Sequence, residues 1–311
     1  MLKLLTNKKE IPIRTSLAVP SILMATFVFV PGQLPIQSAP PAPVAISLDR
    51  TYKPGEYLQY EMTGSNRGWE YQIQANDWVK QDEEGTFYEE IGWSNLRSNA
   101  PMTLSPSSLS FRQVLSLAPT SKYLAIPPLL STVQPFLIGP ITDMLTFYSD
   151  IFLARKMKLT QVGQHAYFEY GKPNSWADGQ RVLLGQDSVD FDLTLLSSNA
   201  QDHTAVLLIR HVPPKHPQME LPAPWMQTPI GDAANNWVQV EKSTNGYTAQ
   251  VGYEVFDVRI TLDTFRGKIR SAQLHNPVVA ISRECSDAAL YECSAPTPEK
   301  ILRDVTLRSF W

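Results

Sequence analysis

Polar and apolar residues alternate with a period of two over most of this chain. Glu56 to Thr63 (EYLQYEMT) places Leu58, Tyr60 and Met62 on one face. A turn at Gly64-Ser65-Asn66 leads into Trp69, Tyr71 and Ile73 at the same period. Thr86 to Trp93 continues the pattern after a polar turn over Gln81 to Gly85. Runs of this kind, bounded by turn residues, predict a β-meander.

The alternation resumes past residue 160. His165 to Tyr170 is rich in aromatics, and Val189, Phe191, Leu193 and Leu195 alternate cleanly before a turn over Ser197 to Asp202 and a run from His203 to Val212. Trp237 to Glu241, Tyr247 to Asp263, a turn at Thr264 to Gly267, Lys268 to His275 and Ile301 to Phe310 complete the series. About ten to twelve strands, joined mostly by short turns, predict antiparallel pairing.

One stretch breaks the pattern. Ala125 to Pro140 is apolar but interrupted by Pro127, Pro128, Pro135 and Pro140. From Ile141 the spacing turns helical, with Ile141, Leu145, Tyr148 and Phe152 on one stripe and Met144, Phe147 and Ile151 beside it. Thr142 or Asp143 can cap the start of a helix over 141–155, and Arg155, Lys156 and Lys158 suit the negative end of its dipole. So wide an apolar arc predicts a helix that is mostly covered. The expected fold is therefore mainly β. It is a curved antiparallel sheet, half-barrel or sandwich-like, with a helical, proline-rich insert at about residues 124–157 as a lid over an apolar space. That layout resembles periplasmic lipoprotein carriers, whose curved sheet is lidded by helices; the likeness is one of layout alone, since no motif here matches theirs.

Most of the 25 prolines fall in three bands, Pro31 to Pro43, Pro101 to Pro140 and Pro213 to Pro229. Central strands exclude proline because it cannot donate to the ladder, so the stretches between the bands carry the sheet. No internal repeat is visible, and residues 46–311 are expected to form one domain.

The N-terminus bears on the compartment. Lys3, Lys8, Lys9 and Arg14 precede an uncharged run, Ser16 to Val30 (SLAVPSILMATFVFV). A basic segment followed by such a run is the pattern of a secretory signal. It falls short of the ~20 residues that span a bilayer, and no later continuous apolar run reaches that length. Residues 1–45 thus read as a signal peptide, or alternatively as an uncleaved membrane anchor, with a proline-rich stalk. An exported, periplasmic or secreted domain follows. Cys285 and Cys293 are the only cysteines, and close spacing in an exported chain predicts a disulfide between them.

Composition narrows the rest. Apolar residues make up 43% and charged residues 18%, which excludes a disordered chain. A formal charge of −3 gives no footprint for nucleic acid, and 15 glycines are too few for a glycine-rich nucleotide loop to stand out. No metal, cofactor or catalytic residue is assigned. The chain has no H-E-x-x-H, no G-x-S-x-G and no phosphate-binding glycine motif. His211 and His216 flank a proline loop and read as solvent-facing. Asp82, Glu83, Glu84, Glu89 and Glu90 lie near a hairpin turn and read as solvated acids. Trp225, in LPAPWMQTP, is a candidate contact for a ligand or partner, together with Leu145, Tyr148 and Phe152 of the helix.

The resulting expectation is an exported, non-catalytic binding or accessory protein. Its partner would be an apolar, lipid-like molecule or an extracytoplasmic protein, the latter as part of a membrane-attached complex. The alternative is an extracytoplasmic hydrolase whose site is assembled from scattered histidines and carboxylates.

Overall fold

The computed structural model describes residues 45–100, 109–119, 122–124, 133–178 and 181–310, which belong to one compact unit. Residues 1–44, where the export segment and stalk are expected, lie outside them, as does the proline-rich stretch 125–132. The strands are β1 (Tyr57–Asn66), β2 (Trp69–Gln81), β3 (Phe87–Ser98), β4 (Arg112–Leu115), β5 (His165–Phe168), β6 (Pro173–Trp176), β7 (Val182–Ser188), β8 (Asp190–Asn199), β9 (Thr204–Val212), β10 (Trp237–Ser243), β11 (Gly246–Glu254), β12 (Phe256–Asp263), β13 (Lys268–Cys285) and β14 (Thr297–Ser309), with the helix α1 (Pro135–Lys156) between β4 and β5.

All these strands form a single 14-stranded sheet. Its spine runs β4-β3-β2-β1-β14-β13, and at β13 it forks. The first half of β13 pairs with β12 up to His275, and β9, β8 and β5 follow. The second half pairs with β11 from Val278 onward, and β10, β7 and β6 follow. Asn276 and Pro277 sit between the two branches and have no strand partner on that side. A proline inside a long central strand is tolerated at such a gap, where one ladder is interrupted.

Alternation places Leu58, Tyr60, Met62, Ile73, Ala75, Ile91 and Trp93 on the inner face of β1 to β3. The inner faces of β8, β9, β12, β13 and β14 join the same buried cluster, and so does α1 through Leu137, Ile141, Met144, Phe147 and Ile151. Strands from both ends of this path meet one helix, so the sheet must curve around it without closing. α1 is long and apolar enough to cross a bilayer by length and composition, yet most of that span is buried inside the domain. Its apolar residues surround the axis, as expected of a helix covered on most sides.

The helix starts six residues before the sequence pattern suggests. Pro135 takes the first turn, where its missing N–H costs nothing. Pro140 lies inside the helix, and the Thr142 hydroxyl donates to the carbonyls of Ile138 (2.9 Å) and Gly139 (3.0 Å). Asp143 is consequently not a cap but a mid-helix residue. Arg155 and Lys156 do occupy the last turn.

The first hairpin also turns later than the glycine-serine-asparagine run implied. β1 and β2 pair out to Asn66 and Trp69, and the turn residues Arg67 (φ 51°) and Gly68 (φ 82°) take the positive values of a two-residue I′ turn.

Cys285 and Cys293 form a disulfide that closes a short excursion after β13. The third proline band packs with it. Ala223, Met226 and Trp225 cover Val238, Val240, Ala249 and Val251 on the outer face of the β10–β11 branch. We expect alkylation without reductant to leave both cysteines unlabelled. Reduction should lower stability by about 2–3 kcal/mol, the chain-entropy value for so short a loop. Two labelled cysteines in peptide mapping would contradict the bond.

Candidate functional site

Trp225 is half-buried, donates its indole N–H to the Leu290 carbonyl (3.0 Å), and has the Arg283 guanidinium 4.8 Å above its ring. It is thus anchored in its own domain, next to the disulfide. Trp225→Ala should cost about 2 kcal/mol, part of the value for a fully buried aromatic. Urea unfolding checks this, and an unchanged midpoint would return Trp225 to the role of a pure contact residue. Leu145 and Tyr148 are buried and Phe152 is half-buried, all on α1 and away from Trp225's cluster.

Three polar side chains of α1 point into the sheet, and each finds a partner from a distant strand. The Asp143 carboxylate accepts the Tyr71 hydroxyl at 3.1 Å and lies 3.3 Å from the Arg303 guanidinium. Two turns on, Asp150 receives His211 Nε2 at 3.0 Å from both carboxylate oxygens. His211 is sandwiched by Phe256 (ring centroids 3.8 Å, stacked) and Phe191 (4.7 Å, edge-on). The loop-histidine reading is therefore corrected: His211 lies in β9 and is buried, whereas His216 is exposed. Burial raises the carboxyl pKa of both Asp143 and Asp150, against the opposing pull of Arg303 and His211 respectively.

Between them Tyr148 faces Glu89, Tyr60 and Asp77. Glu89 is 1% exposed and Asp77 is fully buried, which corrects the reading of Glu89 as a solvated turn residue. Arg50 bridges Glu89 (2.9 Å) and Glu56 (2.8 Å), and Glu56 also meets Arg266 (3.1 Å) and Lys268. Neither Asp77 oxygen has a hydrogen bond of ordinary geometry. Burial, reinforced by Glu89, holds the Asp77 carboxyl well above its ordinary pKa.

A further carboxyl pair lies at the fork. Glu254 ends β11, accepts the Asn276 amide at 2.9 Å, and has its own backbone clasped by Asn236 at 2.8 and 3.2 Å. Burial, followed by the neighbouring Asp187, pushes the Glu254 carboxyl up to about 8. Asp187 is pushed by burial to about 6, with Asn174, His211 and Arg303 pulling the other way. Near neutral pH this pair retains a proton. The sequence conceals it, because Gln186-Asp187-Ser188 does not alternate and β11 and β12 read as one strand.

The outer face is different in kind. Tyr57 (47% exposed) and Trp78 (39%) are cross-strand partners with ring centroids 5.4 Å apart. Phe310 (56% exposed) follows β14 and donates its backbone N–H to Gln59, the next outward residue of β1. Beside the rings runs an amide ladder. Tyr57 Oη donates to Asn76 Oδ1 (2.7 Å), Gln59 Nε2 to the same oxygen (3.3 Å), and Asn76 Nδ2 to Ser94 (2.7 Å). Gly92 leaves room here, since a Cβ would stand a tight 3.3 Å from the Trp78 ring and 3.1 Å from the Arg112 guanidinium. No family model matches this chain, and a search of curated proteins finds no match.

Proposed function

We propose that this is an exported, non-catalytic binding protein that meets its partner on the outer face of the β1–β3 sheet. The observation that carries the reading is the exposed Tyr57–Trp78 pair, its rings tilted at 43° to one another beside hydrogen-bonded amides. Large aromatic rings are costly to leave in water and dominate binding energy where they are covered. The inner face, by contrast, is taken up by α1, and an apolar guest there would have to displace a helix held by Asp143, Tyr148 and Asp150. The disulfide is consistent with an oxidising compartment outside the cytoplasm.

The test is co-sedimentation of the protein with the isolated cell envelope of its host. Wild type should sediment, and the double variant Tyr57→Ala/Trp78→Ala should stay in solution while remaining folded, with a melting temperature lowered only by the loss of one cross-strand pair. Equal sedimentation of both would remove the outer face from the function.

A specific observation also favours a second reading, a hydrolase. Asp187, Glu254, His211 and Arg303 gather near the fork, and carboxyls held at different pKa values suit acid and base roles. Turnover of an ester or glycoside that is lost in Glu254→Gln would establish it.

A further inference from the structure

We infer that the occupant of the outer face is an uncharged polysaccharide; the inference rests on the reading of that face as the binding surface. Three features converge on this chemistry. First, Tyr57 and Trp78 lie side by side on adjacent strands, with Phe310 in the next row, so the rings form a strip rather than a pocket. A strip can be followed by successive units of an extended polymer. Each sugar ring presents a face of C–H groups, which packs on an aromatic face, and an edge of hydroxyls, which does not.

Second, the groups beside the strip suit hydroxyls. Gln59, Gln72, Gln74, Asn76, Ser94 and Asn95 occupy outward positions of β1 to β3, and each amide offers both donors and an acceptor. They are already ordered by neighbours on the same face: Asn95 Nδ2 donates to Gln74 (2.5 Å) and Gln72 Nε2 to the carboxylate of Glu61 (2.6 Å). Side chains fixed before binding lose less freedom on contact.

Third, the charges argue against an ionic polymer. Arg308, Glu61, Lys80, Glu90 and Arg112 mix both signs across the face, and Lys80 is paired with Glu90 at 2.6 Å. No single-signed field is presented, which disfavours nucleic acid, an anionic membrane or a sulfated glycan.

The experiment is native affinity electrophoresis of the whole protein through gels containing one soluble polysaccharide each. The probes are a β-glucan, an α-glucan, a galactomannan and a xylan, with dextran sulfate as the charged comparison. At least one neutral probe should retard the protein. Trp78→Ala should weaken that retardation about tenfold or more, the loss of one aromatic contact. Asn76→Ala should weaken it too, and serves if Trp78→Ala fails to fold. Phe265→Ala, at an exposed ring on the β12–β13 turn, should leave it unchanged.

Retardation by dextran sulfate alone, or by no probe, would overturn the inference. So would retardation indifferent to both Trp78 and Asn76. If no neutral probe binds while envelope sedimentation still depends on Tyr57 and Trp78, the face stands as the binding surface and the polysaccharide inference alone falls. If neither measurement responds to these residues, the face itself has no binding role.

Discussion

Tyr148→Asp should destabilise the domain by several kcal/mol. Tyr148 is 1% exposed and faces Glu89 and Asp77 across the inner sheet, with Arg50 as the cation that answers them. A third carboxyl at this point has no water and no new partner. Burying an uncompensated charge or an unsatisfied acid costs roughly 4–5 kcal/mol or more. That is from about a third to nearly all of the stability of an ordinary domain, about 5–15 kcal/mol. Tyr148→Phe keeps the ring and removes only the hydroxyl, so its cost should stay near 1–2 kcal/mol. Urea unfolding followed by circular dichroism separates the two. A wild-type midpoint for Tyr148→Asp would mean that α1 leaves the sheet in solution.

Stability should also fall steadily as pH rises from about 4.5 towards 8. Glu254 and Asp187 have folded pKa values raised to about 8 and about 6. A group raised in this way binds more protons folded than unfolded. Its contribution is complete below the unfolded pKa and disappears as pH climbs through the folded one. Asp77, Glu89, Asp143 and Asp150 are raised too and act in the same direction. Glu56 is lowered by Lys268 and Arg50 against the cost of burial, so it acts oppositely and supports stability above about pH 4.5. A tenfold difference in proton affinity between the folded and unfolded chain is worth ~1.4 kcal/mol, so the raised carboxyls together amount to several kcal/mol. The melting temperature should peak in mild acid, and Glu254→Gln should flatten its decline. A melting temperature that rises between pH 5 and 8 would contradict this account.

The hydrophobic pattern reveals the long strands because their inner residues are continuous, as in Leu58, Tyr60 and Met62. It misses β4 and β6, four residues each, and β7, where Gly185 interrupts the run beneath the Trp176 ring. It stops β13 at His275, because Pro277 argues against a central strand, and nothing local announces a fork. The buried charges are partly legible. The alternation that carries Ile73 and Ala75 inward also carries Asp77 inward, and Ile91 brings Glu89 with it. Asp143 and Asp150 are a different matter. Their partners Tyr71, Arg303 and His211 come from three distant strands, so their burial is tertiary and leaves no local trace. The outer aromatic strip is visible as residues, but only the pairing of Tyr57 with Trp78 turns it into a surface.

The place of β14 in the sheet has a consequence for how the chain is made. β1 pairs with β2 on one side and with β14 on the other, so that Tyr60 lies opposite Ser309. The β1–β2–β3 meander is local and can pair while synthesis continues. The two sheet halves cannot join until β14 has been synthesised, because it is the strand that links β1 to β13. Closing such long-range pairings is slow, since loop entropy is lost before contacts repay it. A nascent chain of this topology therefore keeps its two halves unjoined until β14 has been made, even where each half has already paired within itself.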